Sequence, residues 1–259
     1  MKLWNNTIPF FNSDAETPNS FTPYLLNTDN PLPCVVVFPG GAYRGRADHE
    51  GAPIAQFFNS KGMHAIVVDY RVAPNRHPAP LADAQRAVRT VRANAKEWGV
   101  DPQRIVTCGF SAGGHLCAST ILFDDVYSDQ YPADEIDRKS CMPNGAILCY
   151  PVISVTEEYG HVGSGKYLLG EDYEEKKNDL CLAERVNEKT SRVFLWHTSD
   201  DSGVNVKNSL IFAERLRDAG IPFELHVFPR GNHGLGLAEK HEDVKKWAEL
   251  AADWVWRNI

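Results

Sequence analysis

The sequence predicts an α/β fold in which a doubly wound, mostly parallel sheet is covered on both faces. Three observations predict it. Short runs that are apolar throughout recur along the chain, stretches of helical periodicity separate them, and one such run enters a Gly-x-Ser-x-Gly turn that opens a helix. Strands buried on both faces read as continuous apolar runs rather than as alternating ones. Strand and helix alternating over this length build a doubly wound sheet.

The runs are Cys34–Phe38, Ala65–Tyr70, Ile105–Gly109, Ala146–Tyr150, Val193–His197 and Phe223–Phe228, with a short edge strand expected at Tyr24-Leu25-Leu26. Helices are expected over Leu81–Trp98, stopping at Gly99 with Arg and Lys opposite the apolar face, and over Asn205–Asp218, stopping at Gly220. A third is expected over Ala238–Arg257, with Trp247, Leu250, Ala251 and Trp254 on its buried side. Between Tyr150 and Val193 no strand signal appears, and the segment is polar, with Glu157-Glu158 and Glu171 to Lys177. It is too long for a plain connection, so 151–192 reads as a small cap or lid inserted into one domain spanning 1–259.

Composition narrows the function classes. The formal charge of -7 argues against nucleic acid, which selects for basic faces. No signal-like leader and no apolar run of membrane-spanning length is present, so a cytoplasmic protein without a membrane partner is expected. The six cysteines form no Cys-x-x-Cys pair, and they read as small buried hydrophobes rather than metal ligands.

Gly109-Phe110-Ser111-Ala112-Gly113 is specific because of its setting: an apolar strand runs into it and Gly114-His115-Leu116-Cys117-Ala118 opens a helix after it. That is the nucleophile elbow of the α/β-hydrolase fold, which strains the serine and lifts its hydroxyl clear of the sheet. Gly109 and Gly113 are needed because a side chain there would strike the neighbouring strand or helix. A serine hydroxyl is a weak nucleophile at neutral pH and needs a histidine base held by a carboxylate. In this fold the acid and then the histidine follow the serine in the chain.

Of nine histidines, His161, His197, His226, His233 and His241 follow the elbow and its own His115. His226 lies within the last strand, His241 within the expected terminal helix, and His197 ends a strand directly before a loop of acids. His233 stands in Gly231-Asn232-His233-Gly234, between the last strand and the last helix, where glycines let the backbone present the ring. It is the expected base. The acid falls in Thr198-Ser199-Asp200-Asp201-Ser202 after the fifth strand. Two adjacent aspartates cannot both face His233, and Glu184 and Glu188 are more remote. The oxyanion formed on acyl transfer needs preset N–H donors. Ala112, next after the serine, should supply one, and Gly41 or Ala42 of the loop Phe38–Tyr43 the other. Tyr43, with Arg44 and His49 beyond it, is placed to touch the alcohol part of a substrate. Trp98, Trp196, Trp247 and Trp254 read as core rather than as a sugar platform.

With these residues in hand, the chain resembles α/β-hydrolase esterases related to acetylxylan esterases and to the bacterial feruloyl-esterase-like group of carbohydrate esterases. The resemblance runs through Pro39-Gly40-Gly41-Ala42-Tyr43, Glu50-Gly51-Ala52-Pro53-Ile54-Ala55, Asp69-Tyr70-Arg71-Val72-Ala73-Pro74, Pro80-Leu81-Ala82-Asp83, Gly109 to Leu116, Leu195 to Asp201 and Gly231-Asn232-His233-Gly234. In many such relatives the acid stands three residues before a Val, as Asp201 does before Val204, which selects Asp201 over Asp200. Lipase-like relatives begin the oxyanion loop with His-Gly-Gly-Gly, where this chain has Pro39 and Ala42, and relatives often carry Pro where Asn205 stands. The resemblance implies removal of acetyl groups from sugars or other small esters, as in xylan degradation, with a small-molecule or oligosaccharide ester as the partner. Such chemistry needs no metal and no cofactor. Rival readings are an amidase of the kynurenine-formamidase type and a binding protein on a hydrolase scaffold.

Overall fold

The computed structural model describes residues 1–5, 7–15, 20–124, 134–156 and 158–259, so Glu157 of the polar segment lies outside the described residues. Seven strands form one sheet in the order β1-β3-β2-β4-β5-β6-β7. They are β1 (Ser20–Tyr24), β2 (Leu32–Phe38), β3 (His64–Asp69), β4 (Val100–Phe110), β5 (Gly145–Cys149), β6 (Arg192–Thr198) and β7 (Phe223–Phe228). Only β1 runs antiparallel, paired with β3, and every other neighbouring pair is parallel.

The interior strands are buried almost throughout, and period-two alternation divides their side chains between two cores. Cys34, Val36 and Phe38 of β2 join one core, which also holds residues of α2 (Ala79–Ala93), α4 (Ala112–Leu122) and α7 (Lys207–Asp218). Val35 and Val37 face the other, filled by Ile54 and Phe58 of α1 (Ala52–Ser60) and by Trp247, Ala251 and Trp254 of the C-terminal helix. The first five apolar runs thus mark strands covered from both sides, as the sequence predicts, whereas the sixth, β7, is an edge strand that is only partly buried, with Val227 exposed. Trp98, Trp196, Trp247 and Trp254 are all buried.

The structure corrects several boundaries. The edge strand is Ser20–Tyr24 rather than Tyr24–Leu26, because pairing with Ala65–Asp69 buries Phe21 and leaves Leu25 exposed. The long helix expected over Leu81–Trp98 begins at Ala79 and breaks at Asn94, whose side-chain amide donates to the Thr90 carbonyl. A short turn, α3 (Ala95–Trp98), follows and ends on Gly99 in the left-handed conformation. The final helix, α8 (Lys246–Asn258), starts eight residues later than expected. Ala238 has φ of 55°, which no helix accommodates, so the chain before α8 is a set of turns and His241 sits in them.

The arginine side of α2 is also not a solvated face. Arg86 and Arg89 are buried beneath the segment around Asp134 and Asp137, and Arg86 makes paired bonds of 2.6 and 2.7 Å to Asp134. The segment 151–192 holds α5 (Val162–Leu169), α6 (Tyr173–Lys176) and short 3-10 turns, with no strand among its described residues before Arg192, where β6 begins.

Two of the sequence motifs meet in a buried ion pair. Arg71 and Asp83 are 0% and 1% exposed, and two guanidinium nitrogens donate to the two carboxylate oxygens at 2.8 Å. Asp83 also accepts from the Trp4 indole at 2.8 Å, and Arg71 donates to the Pro9 carbonyl at 2.7 Å, which fastens the N-terminal segment to the sheet. Removing one partner of such a pair strands a buried charge. Asp83→Ala is therefore expected to lose about 3–5 kcal/mol in urea unfolding. A loss under about 1 kcal/mol would show that water or a neighbour readily solvates Arg71.

Candidate active site

Ser111 sits between β4 and α4 with φ of 54° and ψ of −118°, a backbone state that L side chains rarely adopt. The turn exists because its flanking glycines let two elements close on it. A Cβ on Gly109 would lie 2.1 Å from the Gly113 carbonyl oxygen, and one on Gly113 would lie 2.2 Å from the Phe38 carbonyl oxygen. Hydrogen bonds hold the strained residue on both sides: its amide donates to the Cys149 carbonyl at 3.0 Å, and its carbonyl accepts from the amides of His115 and Val152. The segment following β5 is thereby pinned to the nucleophile turn.

The structure brings Ser111, His233 and Asp201 into one hydrogen-bonded chain. Ser111 Oγ lies 2.7 Å from His233 Nε2, and His233 Nδ1 lies 2.7 Å from Asp201 Oδ2. A carboxylate only accepts, so Nδ1 carries the imidazole proton and Nε2 is free to accept from the serine hydroxyl. Asp201 Oδ1 accepts from the amides of Gly203 and Val204 at 2.8 and 2.9 Å. Asp200 is exposed and turns the other way, accepting from the Gly231 amide at 2.7 Å. With Thr198 Oγ1 donating to the Gly231 carbonyl at 2.7 Å, Asp200 ties the acid loop to the loop that carries His233.

A second histidine touches the same carboxylate. His197 is fully buried, its Nε2 donates to the Val204 carbonyl at 2.9 Å, and it lies 3.3 Å from Asp201 Oδ2. Burial alone would raise the Asp201 carboxyl. Hydrogen bonds from His197, His233 and the Val204 amide outweigh it and hold the group well below the usual carboxylate range. The acid thus stays charged beside His233. His161 of the segment 151–192 lies near enough to feel both His233 and Asp201, and burial followed by the His233 charge lowers its pKa. Its Nδ1 accepts from the Ser164 amide at 3.1 Å, capping α5, so its proton sits on Nε2.

The loop after β2 approaches the serine closely. A Cβ on Gly40 would stand 3.0 Å from Ser111 Cβ and 2.7 Å from the Phe110 carbonyl oxygen. Gly41, Ala42 and Tyr43 follow with φ of 137°, 55° and 58°. The amides of Gly41, Ala42 and Ala112 donate to no acceptor among the described residues. Tyr43 does not offer its ring to a substrate: it is 1% exposed, and its hydroxyl is bonded at 2.9 Å to His115 Nδ1. His115 Nε2 donates to the Leu180 carbonyl at 3.0 Å, so this pair links the loop after β2 to the segment 151–192. Burial pushes His115 down to about 4, which keeps it neutral in that role. Arg44 is exposed, and His49 Nε2 reaches the Gly234 carbonyl at 2.9 Å.

The sequence alone marks no role for Glu50, Tyr150 or His161, and it offers His197 only as a candidate base, not as a partner of the acid. Glu50 lies in a motif of the family resemblance, and Tyr150 follows directly on β5. His161 reaches the site from a segment whose course the sequence does not reveal, whereas His197, at the end of β6, stands where the sequence puts it but serves the acid rather than the serine.

The Asp201 carboxyl titrates lower in the folded chain than in the unfolded one. Its contribution to stability is complete above about pH 5 and is lost as pH falls toward the depressed folded-state value. Urea unfolding from pH 6 to pH 3 should therefore show a steeper loss for the wild type than for Asp201→Asn. Parallel slopes would mean that Asp201 is not held in its charged form.

The BD-FAE family profile matches residues 24–216, a stretch that includes Ser111 and Asp201. The solved structure of an acetyl ester-xyloside bifunctional hydrolase from Caldicellulosiruptor lactoaceticus superposes with a TM-score of 0.93 at 46% identity, covering 99% of this chain and 95% of that one. Endo-1,4-beta-xylanase B of Butyrivibrio fibrisolvens is 41% identical over 227 residues, which are 85% of this chain and 35% of the relative. Acetylxylan esterase of Xylanibacter ruminicola is 32% identical over 211 residues, 78% of this chain and 41% of the relative. This chain spans well under half the length of these two curated relatives. A profile match across most of its elements, with a full-length structural relative at that identity, means that the chain belongs to the BD-FAE family within the α/β-hydrolase fold.

Proposed function

We propose that this chain is a serine carboxylic-ester hydrolase that removes short acyl groups, acetyl above all, from carbohydrate such as acetylated xylan oligomers. The observation that carries the reading is the relay from Ser111 through His233 to Asp201, with both hydrogen bonds at 2.7 Å. His233 Nε2 takes the serine proton as Oγ attacks the ester carbonyl. Asp201 stabilises the imidazolium through Nδ1–H. The amides of Ala112 and of Gly41 or Ala42 receive the oxyanion, and the start of α4 adds the positive end of its dipole. Collapse of the tetrahedral intermediate releases the alcohol, which takes the proton from Nε2. Water, activated by the same base, then frees the acid and restores the serine.

The acetyl and carbohydrate parts of the proposal rest on the relatives, one named acetylxylan esterase and another an acetyl ester-xyloside hydrolase. We read 151–192 as a cap over the site, supported by the bond from Val152 to Ser111 and that from His115 to Leu180. Its polar surface suits a hydrated sugar better than a lipid. Among the described residues no helix is long and apolar enough to cross a membrane. Six cysteines, all free, support the cytoplasmic address expected from the sequence.

Hydrolysis of nitrophenyl esters from acetate to octanoate, with acetylated xylo-oligomers and acyl amides alongside, tests the proposal. Acetate should be cleaved fastest, with Ser111→Ala lowering kcat by at least about 10³-fold. Asp201→Asn should cost about 10²–10⁴-fold and Asp200→Asn less than about tenfold. Activity that survives Ser111→Ala would remove the serine from the mechanism. Turnover of amides alone would move the chain to the amidases, and no turnover of either class would leave a binding scaffold.

A further inference from the structure

We propose that Glu50 and Tyr150, aided by His49, are positioning residues that form a clamp between the oxyanion-side loop and the loop carrying His233. The inference rests on the esterase reading above and deepens it, since it concerns how two halves of one site are kept in register.

Glu50 is 2% exposed, yet both its oxygens are in use. Oε2 accepts from the Gly40 amide at 2.7 Å, and Oε1 accepts from the Tyr150 hydroxyl at 2.6 Å. The Tyr150 hydroxyl in turn accepts from the Gly236 amide at 2.8 Å. One buried carboxylate therefore reaches the residue just before Gly41 and Ala42 on one side. Through a single hydroxyl it reaches a residue three places after His233 on the other. Tyr150 also meets the imidazole directly: its ring stands edge-on to His233, with centroids 5.1 Å apart at 70°. That ring is held in turn by Trp196, edge-on at 4.8 Å, and by the bond from the Tyr150 amide to the Trp196 carbonyl. His49 Nε2–H donates to the Gly234 carbonyl and lies 3.7 Å from Glu50 Oε1.

The arrangement is directional. Upstream of His233 its loop is tied at Gly231 to the acid loop, through Asp200 and Thr198. Downstream it is tied at Gly234 and Gly236 to the oxyanion side, through His49 and Tyr150. The imidazole is thus suspended between the residues that charge it and those that receive the substrate oxygen. A buried carboxylate is a poor choice for mere cohesion, because apolar packing of the same volume does that at least as well. It is a good choice where two N–H or O–H donors on different loops must be held at fixed separation. A glutamine replaces it only in part: with its oxygen on the Gly40 amide, its NH₂ meets the Tyr150 hydroxyl, which must then accept rather than donate and leave its own proton without this acceptor.

The test compares Tyr150→Phe, Glu50→Gln, their double variant and His49→Ala with the wild type. Steady-state hydrolysis of nitrophenyl acetate and the affinity of an alkyl boronic acid, a tetrahedral mimic at serine, are measured together. We expect kcat to fall about 10–100-fold in Tyr150→Phe and Glu50→Gln with KM within about twofold, because small misplacements of reacting groups cost that much. Boronate affinity should weaken by the same factor as kcat/KM. The double variant should be no slower than the worse single one, since either change opens the same clamp. His49→Ala removes only the outer tie at Gly234 and should lower kcat by about two- to fivefold with KM unchanged, a smaller loss than at Tyr150 or Glu50. Lowered melting temperature with unchanged kcat and boronate affinity would overturn the clamp in favour of plain stabilisation, as would losses that multiply in the double variant. Should Glu50→Gln not fold, Tyr150→Phe decides, because it keeps the ring and removes only the hydroxyl. Should the wild type cleave no ester, the esterase reading fails by itself. The clamp is then judged by the low-field proton resonance of His233 Nδ1–H: broadened in Tyr150→Phe it stands, unchanged it falls.

Discussion

The site depends on one strained residue. Ser111 is forced to φ of 54° because β4 and α4 meet at Gly109 and Gly113 with no room for a side chain at either. A backbone in that state costs on the order of 1–3 kcal/mol and persists only when its surroundings over-determine it. Here they do. β4 lies between β2 and β5, α4 is buried along its whole length, and the Ser111 amide and carbonyl are both satisfied. Packing stability in the two cores is thereby converted into a half-buried serine, the proposed nucleophile, at a fixed point. The other groups need only be brought to that point.

They arrive from the C-terminal ends of different strands, which is where a parallel sheet places its loops. The loop with Asp201 leaves β6, the loop with His233 leaves β7, and the loop proposed to hold the oxyanion leaves β2. None of these is rigid by its own composition. Their rigidity comes from cross-loop bonds: Asp200 and Thr198 to Gly231, Glu50 to Gly40, and Tyr150 to Gly236. The electrostatic balance follows the same logic. Asp201 is buried, where an unpaired charge would not survive, and it is kept ionised by two backbone amides and two histidines.

What could be read in the sequence was whatever is local. Both faces of the sheet are covered, so β2, β3, β4, β5 and β6 stand out as apolar runs, and the elbow is legible because its glycines are required within a few residues of the serine. The pairing of Asp201 with His233 needed only the order of loops plus the family resemblance. Long-range burial was not legible. Nothing local marks Arg86 and Arg89 as covered by Asp134 and Asp137, or Tyr43 as spent on His115 rather than offered to a ligand. The start of α8 is not legible either, because Ala238 adopts a positive φ, which an alanine does not announce. Glu50 and Tyr150 are a hundred residues apart, and only the closed fold makes them neighbours.

The most direct test of the central claim is to catch the acyl-enzyme. Wild-type protein mixed with nitrophenyl acetate and quenched in acid during turnover would be digested and its peptides weighed. The account predicts one acetyl group, on the peptide containing Ser111 and on that residue, with the adduct lost on longer incubation as water completes the cycle. Turnover without an adduct, or an acetyl group that accumulates on another residue, would contradict it.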